Sequence, residues 1–285
     1  MPSRTALTAA AARAAHLIVD DPPFIFQDTA AAALLGEHAD ELILYHREHG
    51  SHPVLATARA TVICRSRYTE DRIAEAAQRG VSQYVSLGAG LDTFGVRSAL
   101  RRQLRVFEVD HPATQDWKKR ALAAAHIPVP PHVTFVPAEL GAGSLLRALQ
   151  TAGLDLNRPA VVGWLGVTIY LDGSAIAATL AALSACAPGT EIIVDYMLPA
   201  GLRDQTADDY VSQVSRFAAD SGEPLLSFLA PDQVQAMLGE HGFTVLEHVR
   251  QREAVPHELW ERSDPLRPAD LSMITRAVRD PRSTG

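Results

Sequence analysis

Apolar positions along the chain follow two regimes that meet near residue 80. From about residue 5 to 78 the pattern is helical, running through AAARAAHLI, a long segment from 28 to 50 that opens DTAAAALLG, and ATARATVICRSRYTEDRIAEAAQRG. Asp28 is placed to cap one helix and Gly80 to stop another. Residues 1–80 therefore read as an N-terminal helical cap and 81–285 as the core. Beyond residue 80, short runs of β-branched and aromatic residues bounded by Gly, Pro or Asp alternate with helical segments: QYVSLG, RVFEVD, HVTFVPA, AVVGWLG and TEIIVDYM. Such alternation predicts an α/β fold, with a mostly parallel sheet and helices on both faces. Ligands in such folds bind beyond the carboxyl ends of the strands, where SLGAG, FEVD, PAEL and WLGVT converge. The stretch from about 198 to 230 breaks the rhythm and is long for a connection, so it reads as a lid-like insertion. A helix at PDQVQAMLGEHG, a strand at FTVLEHV, a loop with a helical turn and a late strand at LSMITRAV complete the chain.

Composition narrows the functional classes. The 285 residues are 47% hydrophobic and 21% charged, enough for one large α/β domain with a substantial core. A net charge of −7 and a pI near 5.9 argue against a nucleic-acid partner, because such proteins carry a basic field or stripe. The run WKKR at 117–120 is too short to reverse that. Cys64 and Cys186 stand far apart with no CxxC or Cys/His cluster, so neither a disulfide framework nor a metal site is expected, and a reduced cytoplasmic setting fits. The alanine-rich opening is interrupted by Arg13 and His16 and reads as an amphipathic helix, not a signal peptide. No stretch reaches the roughly 18 apolar residues of a membrane helix, so a soluble chain without a membrane partner is expected.

Chemistry concentrates at residues 83–110. The turn SLGAGLDT follows a strand, and Gly88-Ala89-Gly90 lets the backbone approach a ligand closely. The next strand, RVFEVD, ends in two acids, Glu108 and Asp110, either of which can accept from a ribose diol. This is a nucleoside site. The dinucleotide fingerprint wants a third glycine where Thr93 stands, and Gly95 comes two positions late, which weighs against an NAD-dependent oxidoreductase.

Together, RSRYTED (65–71), YVSLGAGLDTFGVR (84–97), FEVDHP (107–112), PAEL (137–140), WLGVTIYL (164–171) and VDYMLP (194–199) resemble the leucine carboxyl methyltransferase family, in particular its bacterial branch. The resemblance spans roughly residues 5 to 280. It implies a class I methyltransferase, Rossmann-like, with a seven-stranded sheet whose antiparallel strand LSMITRAV would supply, and S-adenosylmethionine (SAM) as methyl donor. Carried over position by position, it assigns SAM contacts to Arg65, to the turn at Gly88, to Asp110, and to Glu139 and Leu140. Arg65 would hold the methionine carboxylate through its planar fork, with Arg67 as competitor. Asp110 would hold the ribose, with Glu108 as competitor and helix capping as its other use. Two departures stand out. Relatives more often carry Asp at the adenine contact where Glu139 stands, and many read EGVxxYL where this chain has Leu165, which cannot accept a hydrogen bond.

Methyl transfer from a sulfonium needs alignment more than acid–base help, since positioning alone can remove roughly 7–11 kcal/mol of barrier. A carboxylate acceptor needs no base; a hydroxyl is helped by one. His46, His49, His52, His111, Tyr170, Asp195 and Tyr196 are the candidates among a chain with 11 histidines, and none is singled out as catalytic. Tyr170 and Tyr196 fit better as walls of an acceptor pocket, combining apolar area with one polar handle. The expected activity is SAM-dependent O-methylation of a carboxylate or hydroxyl on a small molecule, in the manner of a secondary metabolite. The alternatives are a SAM-binding regulator without turnover and the disfavoured oxidoreductase. Neither the acceptor nor the oligomeric state can be read from the sequence.

Overall fold

The computed structural model describes residues 3–220 and 222–280, apart from the side chain at 101. Four helices come first: α1 (Arg4–Val19), the short α2 (Ala31–Leu34), α3 (Ala39–His49) and α4 (Pro53–Gln78). Ser3 caps α1 by accepting from the Ala6 amide. The alanines at 10, 11, 14 and 15 are buried, so small side chains let α3 and α4 pack close to α1. His52 caps α4 and Pro53 opens it, a position where the missing N–H costs nothing. At its other end Val81 N bonds Ala76 O and Gly80 N bonds Ala77 O, both at 3.0 Å, closing a Schellman turn on the left-handed Gly80.

The single helix read over 28–50 is two. Gly36, at φ +57°, interrupts it, and a 3₁₀ turn links α2 to α3. Asp28 does accept from Ala30 N, but its carboxylate is buried and bonds Arg13 Nε at 2.7 Å, so its main work is pairing with α1.

The core follows as β1 (Gln83–Leu87), α5 (Phe94–Arg97), β2 (Arg105–Asp110), α6 (Pro112–Ala124), β3 (Val133–Pro137), α7 (Leu145–Thr151), β4 (Val161–Trp164) and α8 (Gly173–Leu183). It continues through β5 (Glu191–Met197), α9 (Gln205–Asp220), α10 (Pro231–Glu240), β6 (Phe243–Arg250) and β7 (Ser272–Arg279). The seven strands lie in the order β3-β2-β1-β4-β5-β7-β6, and β7 runs antiparallel between β5 and β6. The late strand LSMITRAV thus fills the antiparallel place expected of it. Every residue of β1 is buried, as befits a strand covered on both faces. One face carries Leu149, Ile176, Leu180, Val234 and Leu238 from α7, α8 and α10. The other carries Ile63, Cys64, Tyr68 and Ile73, so α4 shares a core with the sheet.

The chain winds outward from β1 to β3 and then returns to β4 on the other side of β1. That reversal leaves a crevice at the carboxyl ends of β1 and β4, where open α/β sheets place ligands. The insertion folds as α9 and an extended segment that lies across the crevice. Among the described residues no helix is long and apolar enough to cross a membrane.

Candidate active site

A cavity of about 1170 Å³ occupies the crevice, floored by the β1 and β4 turns and enclosed by α1, α4 and α9. At its floor Gly88 and Gly90 adopt φ +63° and +50°, the left-handed region that favours glycine. Ala89 N bonds Val109 O at 2.9 Å, tying the turn to β2. A β-carbon at 88 would fall 2.4 Å from Val167 Cγ2, and one at 90 would fall 3.3 Å from Ala6 Cβ. The turn is packed as tightly as glycine permits.

The two acids of β2 separate cleanly. Asp110 lines the cavity, where Oδ2 accepts from Gly90 N at 2.6 Å and Oδ1 from His111 N at 2.7 Å. Burial raises its pKa while those two amides pull the other way, and lone pairs remain for a diol. Glu108 is buried away from the cavity and paired with Lys118 Nζ at 2.5 Å. Gly95 fits over it: a β-carbon there would meet Val133 Cγ2 at 2.8 Å and Glu108 Oε1 at 3.2 Å. The glycine that came late for a dinucleotide loop is therefore a packing glycine.

The two arginines separate as well. Arg67 is half-exposed and bonds Asp71 at 2.8 Å, an i,i+4 pair on the outer side of α4. Arg65 lines the cavity, donating from Nη1 to Asp195 Oδ2 at 3.0 Å. Asp195 Oδ1 accepts from Gly166 N at 2.5 Å, and Gly166 lies against the guanidinium. Leu165 lines the cavity beside them.

Glu139 and Leu140 are not brought to the cavity. Glu139 is exposed after β3, and Leu140 packs on the α7–α8 side of the core. Tyr170 does line it, facing Thr5, Arg65 and Tyr210, and burial pushes its pKa up to about 12. Tyr196 reaches the cavity through its position at the end of β5, but its hydroxyl is committed to Thr275 Oγ1 at 3.2 Å and His248 Nδ1 at 3.3 Å. It offers the cavity no free polar handle.

The base candidates thin out in the same way. His111 caps α6 by accepting from Ala113 N and is absent from the cavity wall. Asp195 is ion-paired. His46, His49 and His52 stand at the outer end, where Tyr45, His49 and His52 are exposed and form a mouth. His46 Nδ1 lies 3.4 Å from Arg59 Nη1, and Arg59 is clamped on Asp20 at 2.8 and 2.9 Å. A guanidinium only donates, so Nδ1 is the acceptor and a neutral His46 carries its proton on Nε2. Burial, then the Arg59 charge, lowers the His46 pKa to about 4.

Two wall elements had no residue-level signal in the sequence. Tyr210, Val214 and Phe217 of α9 line the cavity, and Glu223 Oε2 accepts from Thr5 N at 3.0 Å, joining the insertion to the start of α1. Among the described residues no cluster of His, Cys, Asp and Glu could hold a metal ion.

The sequence profile described as leucine carboxyl methyltransferase matches residues 6–184. The chain is 31% identical over 269 residues to YktD of Bacillus subtilis (strain 168), covering 87% of this chain and 88% of that one. It is 30% identical over 250 residues to a protein of Mycobacteroides abscessus, covering 85% and 82%. Both are provisionally named S-adenosyl-L-methionine-dependent methyltransferases. Among solved structures, a provisionally named methyltransferase from Thermobifida fusca YX aligns with a TM-score of 0.61 at 21% identity, covering 90% of this chain and 97% of that one. A duf574 family protein from Streptomyces avermitilis aligns with a TM-score of 0.63 at 17% identity, covering 95% and 97%, and these two likenesses speak for the fold. With the turn, the strand order and these relatives together, the chain belongs to the leucine carboxyl methyltransferase family and is a SAM-dependent methyltransferase.

Proposed function

We propose that the enzyme methylates an oxygen of a small molecule, and that the oxygen is a carboxylate in preference to a hydroxyl. The observation that carries this reading is the 3.4 Å contact of His46 Nδ1 with the Arg59 guanidinium. The best-buried histidine of the cavity has its basic nitrogen occupied by Arg59 and offers an N–H, which suits an oxygen that is already ionised and needs no base. His52 Nδ1 likewise accepts from Val54 N, so its basic position is also taken when the ring is neutral. A cavity of about 1170 Å³ that opens through a mouth and is walled by Tyr170 and Tyr210 supports a small acceptor.

SAM, when bound, supplies a methyl group already activated on a sulfonium. In this reading the Gly88-Ala89-Gly90 turn gives the close backbone approach, Asp110 holds the ribose hydroxyls, and Arg65 takes the methionine carboxylate. Glu139 and Leu140 follow β3, next to β2, but stand outside the cavity wall, so the adenine contact that the resemblance implies is not carried into this reading. Leu165 packs against the ligand without bonding it. Tyr170 and Tyr210 desolvate the acceptor, while Tyr196 supports the wall from behind. Buried, unpaired Cys64 and Cys186 fit a reducing cytoplasm.

The test is turnover with SAM across matched carboxylic acids and phenols, following S-adenosylhomocysteine and methylated product by mass spectrometry. Methyl esters in step with S-adenosylhomocysteine are expected. Methylation confined to phenols or to nitrogen would overturn the carboxylate reading.

A further inference from the structure

Leu165 and Asp195 both line the cavity just past the last paired rung of β4 and β5. Trp164, the last residue of β4, pairs with Val194 of β5, so Leu165 and Asp195 each follow directly on that last paired rung. An apolar residue thus follows β4, while a carboxylate stands near the end of β5. Asp195 is 5% exposed and lines the cavity, so this charge has been taken from water and aimed at the ligand space.

We propose that Asp195 and Arg65 together recognise the amino-acid zwitterion of the methyl donor, Arg65 taking its α-carboxylate and Asp195 its α-ammonium. The proposal rests on the reading of the cavity as a SAM site. An α-amino acid carries its two charges on one carbon, so a complementary site must set opposite charges a few ångströms apart. Arg65 Nη1 and Asp195 Oδ2 are 3.0 Å apart. Only one guanidinium nitrogen has a recorded partner, leaving other N–H donors for a carboxylate. Asp195 has one recorded bond to each oxygen, from Gly166 N and from Arg65, so each retains a lone pair for an ammonium.

The other carboxylates of the cavity wall are differently placed. Asp92 accepts from Phe94 N at 2.9 Å, and Glu70 is bonded to Arg97. Asp110 holds the Gly90 amide at the ribose side, and Glu223 is tied to Thr5 at the insertion. Asp195 alone among these five is in contact with Arg65. Leu165 is then tolerated just after β4 because β5 carries the charge.

Calorimetry with S-adenosylhomocysteine and with its analogue lacking the α-amino group tests this. Wild-type protein should bind the amino ligand about tenfold or more tightly than the deaminated one. Asp195→Asn should weaken the amino ligand by about that factor and leave the deaminated ligand within about threefold, collapsing the preference. Adding Leu165→Glu to that variant, with its carboxylate one strand away, should restore part of the preference. Equal weakening of both ligands would overturn the proposal and reduce Asp195 to a positioner of Arg65, as would a wild-type protein without preference. If the amide variant does not fold, Asp195→Glu keeps the charge and should still change the ratio of the two affinities; an unchanged ratio would overturn the proposal. Failure of wild-type protein to bind either nucleoside would strike the SAM reading itself.

Discussion

Gly166 lies flat against the guanidinium of Arg65, so close that a β-carbon at 166 would fall 2.3 Å from Nη2. Its φ of +71° adds a second reason for glycine. Gly166→Ala should therefore push Arg65 out of place and weaken S-adenosylhomocysteine binding about tenfold or more, with a stability loss of about 1–2 kcal/mol from the backbone alone. Calorimetry and thermal melting check the two parts separately. Unchanged affinity would mean that Arg65 does not touch the ligand.

The two acids of β2 should fail in different ways. Asp110→Ala should lower affinity for the nucleoside about tenfold or more with modest loss of stability. Glu108→Gln leaves Lys118 buried opposite an amide, which should cost about 3–5 kcal/mol of stability while a chain that still folds keeps its affinity. Denaturant melts beside calorimetry on both variants give the comparison, and the reverse pattern would exchange their roles.

Stability should carry the signature of His46. Its folded pKa of about 4 lies below the ordinary value near 6.5, so between those limits the unfolded chain binds a proton that the folded chain refuses. Stability is then fully present above pH 6.5 and is lost as pH falls towards 4, by about 3 kcal/mol in all. Asp20, whose pKa is lowered because His16 and Arg59 outweigh burial, contributes its own loss only below that window. His46→Gln should flatten the slope between pH 4 and 6.5 in denaturant titrations. An unaltered slope would place the titrating group elsewhere.

The insertion should loosen when its tie to α1 is cut. Glu223→Ala removes the acceptor for Thr5 N and should speed proteolytic nicking within 198–230 several-fold, with bound S-adenosylhomocysteine slowing it. Equal cleavage of variant and wild type would show that the tie does not hold α9 down.

What could be read from the sequence was what local chemistry writes into it. The strands show because β-branched runs end at Gly, Pro or Asp, and Gly80 marks the end of α4 because a left-handed residue is needed there. The helix over 28–50 was read unbroken because alanines on both sides of Gly36 hide a conformational break. Partnerships between distant residues left no such mark. Arg65 and Asp195 are 130 residues apart, so Asp195 looked like a free base when it is one half of an ion pair. Glu108 and Asp110 looked equivalent because strand alternation puts them on one face, and only the lysine one helix later tells them apart. His111 resembled a site residue by sitting beside Asp110, although its ring is spent on capping α6.

One helix spans both ends of the cavity. The wall of α4 runs from Val54 near the mouth through Ala58 and Val62 to Arg65, and the stretch from His52 to Arg65 measures roughly 20 Å at 1.5 Å per residue. That makes α4 a ruler fixed at both ends. Inserting or deleting one residue would rotate everything beyond it by about 100° and turn the measuring edge into the core. A larger side chain at Ala58 would shorten the space between the mouth and Arg65 while the number of residues in the helix stays constant.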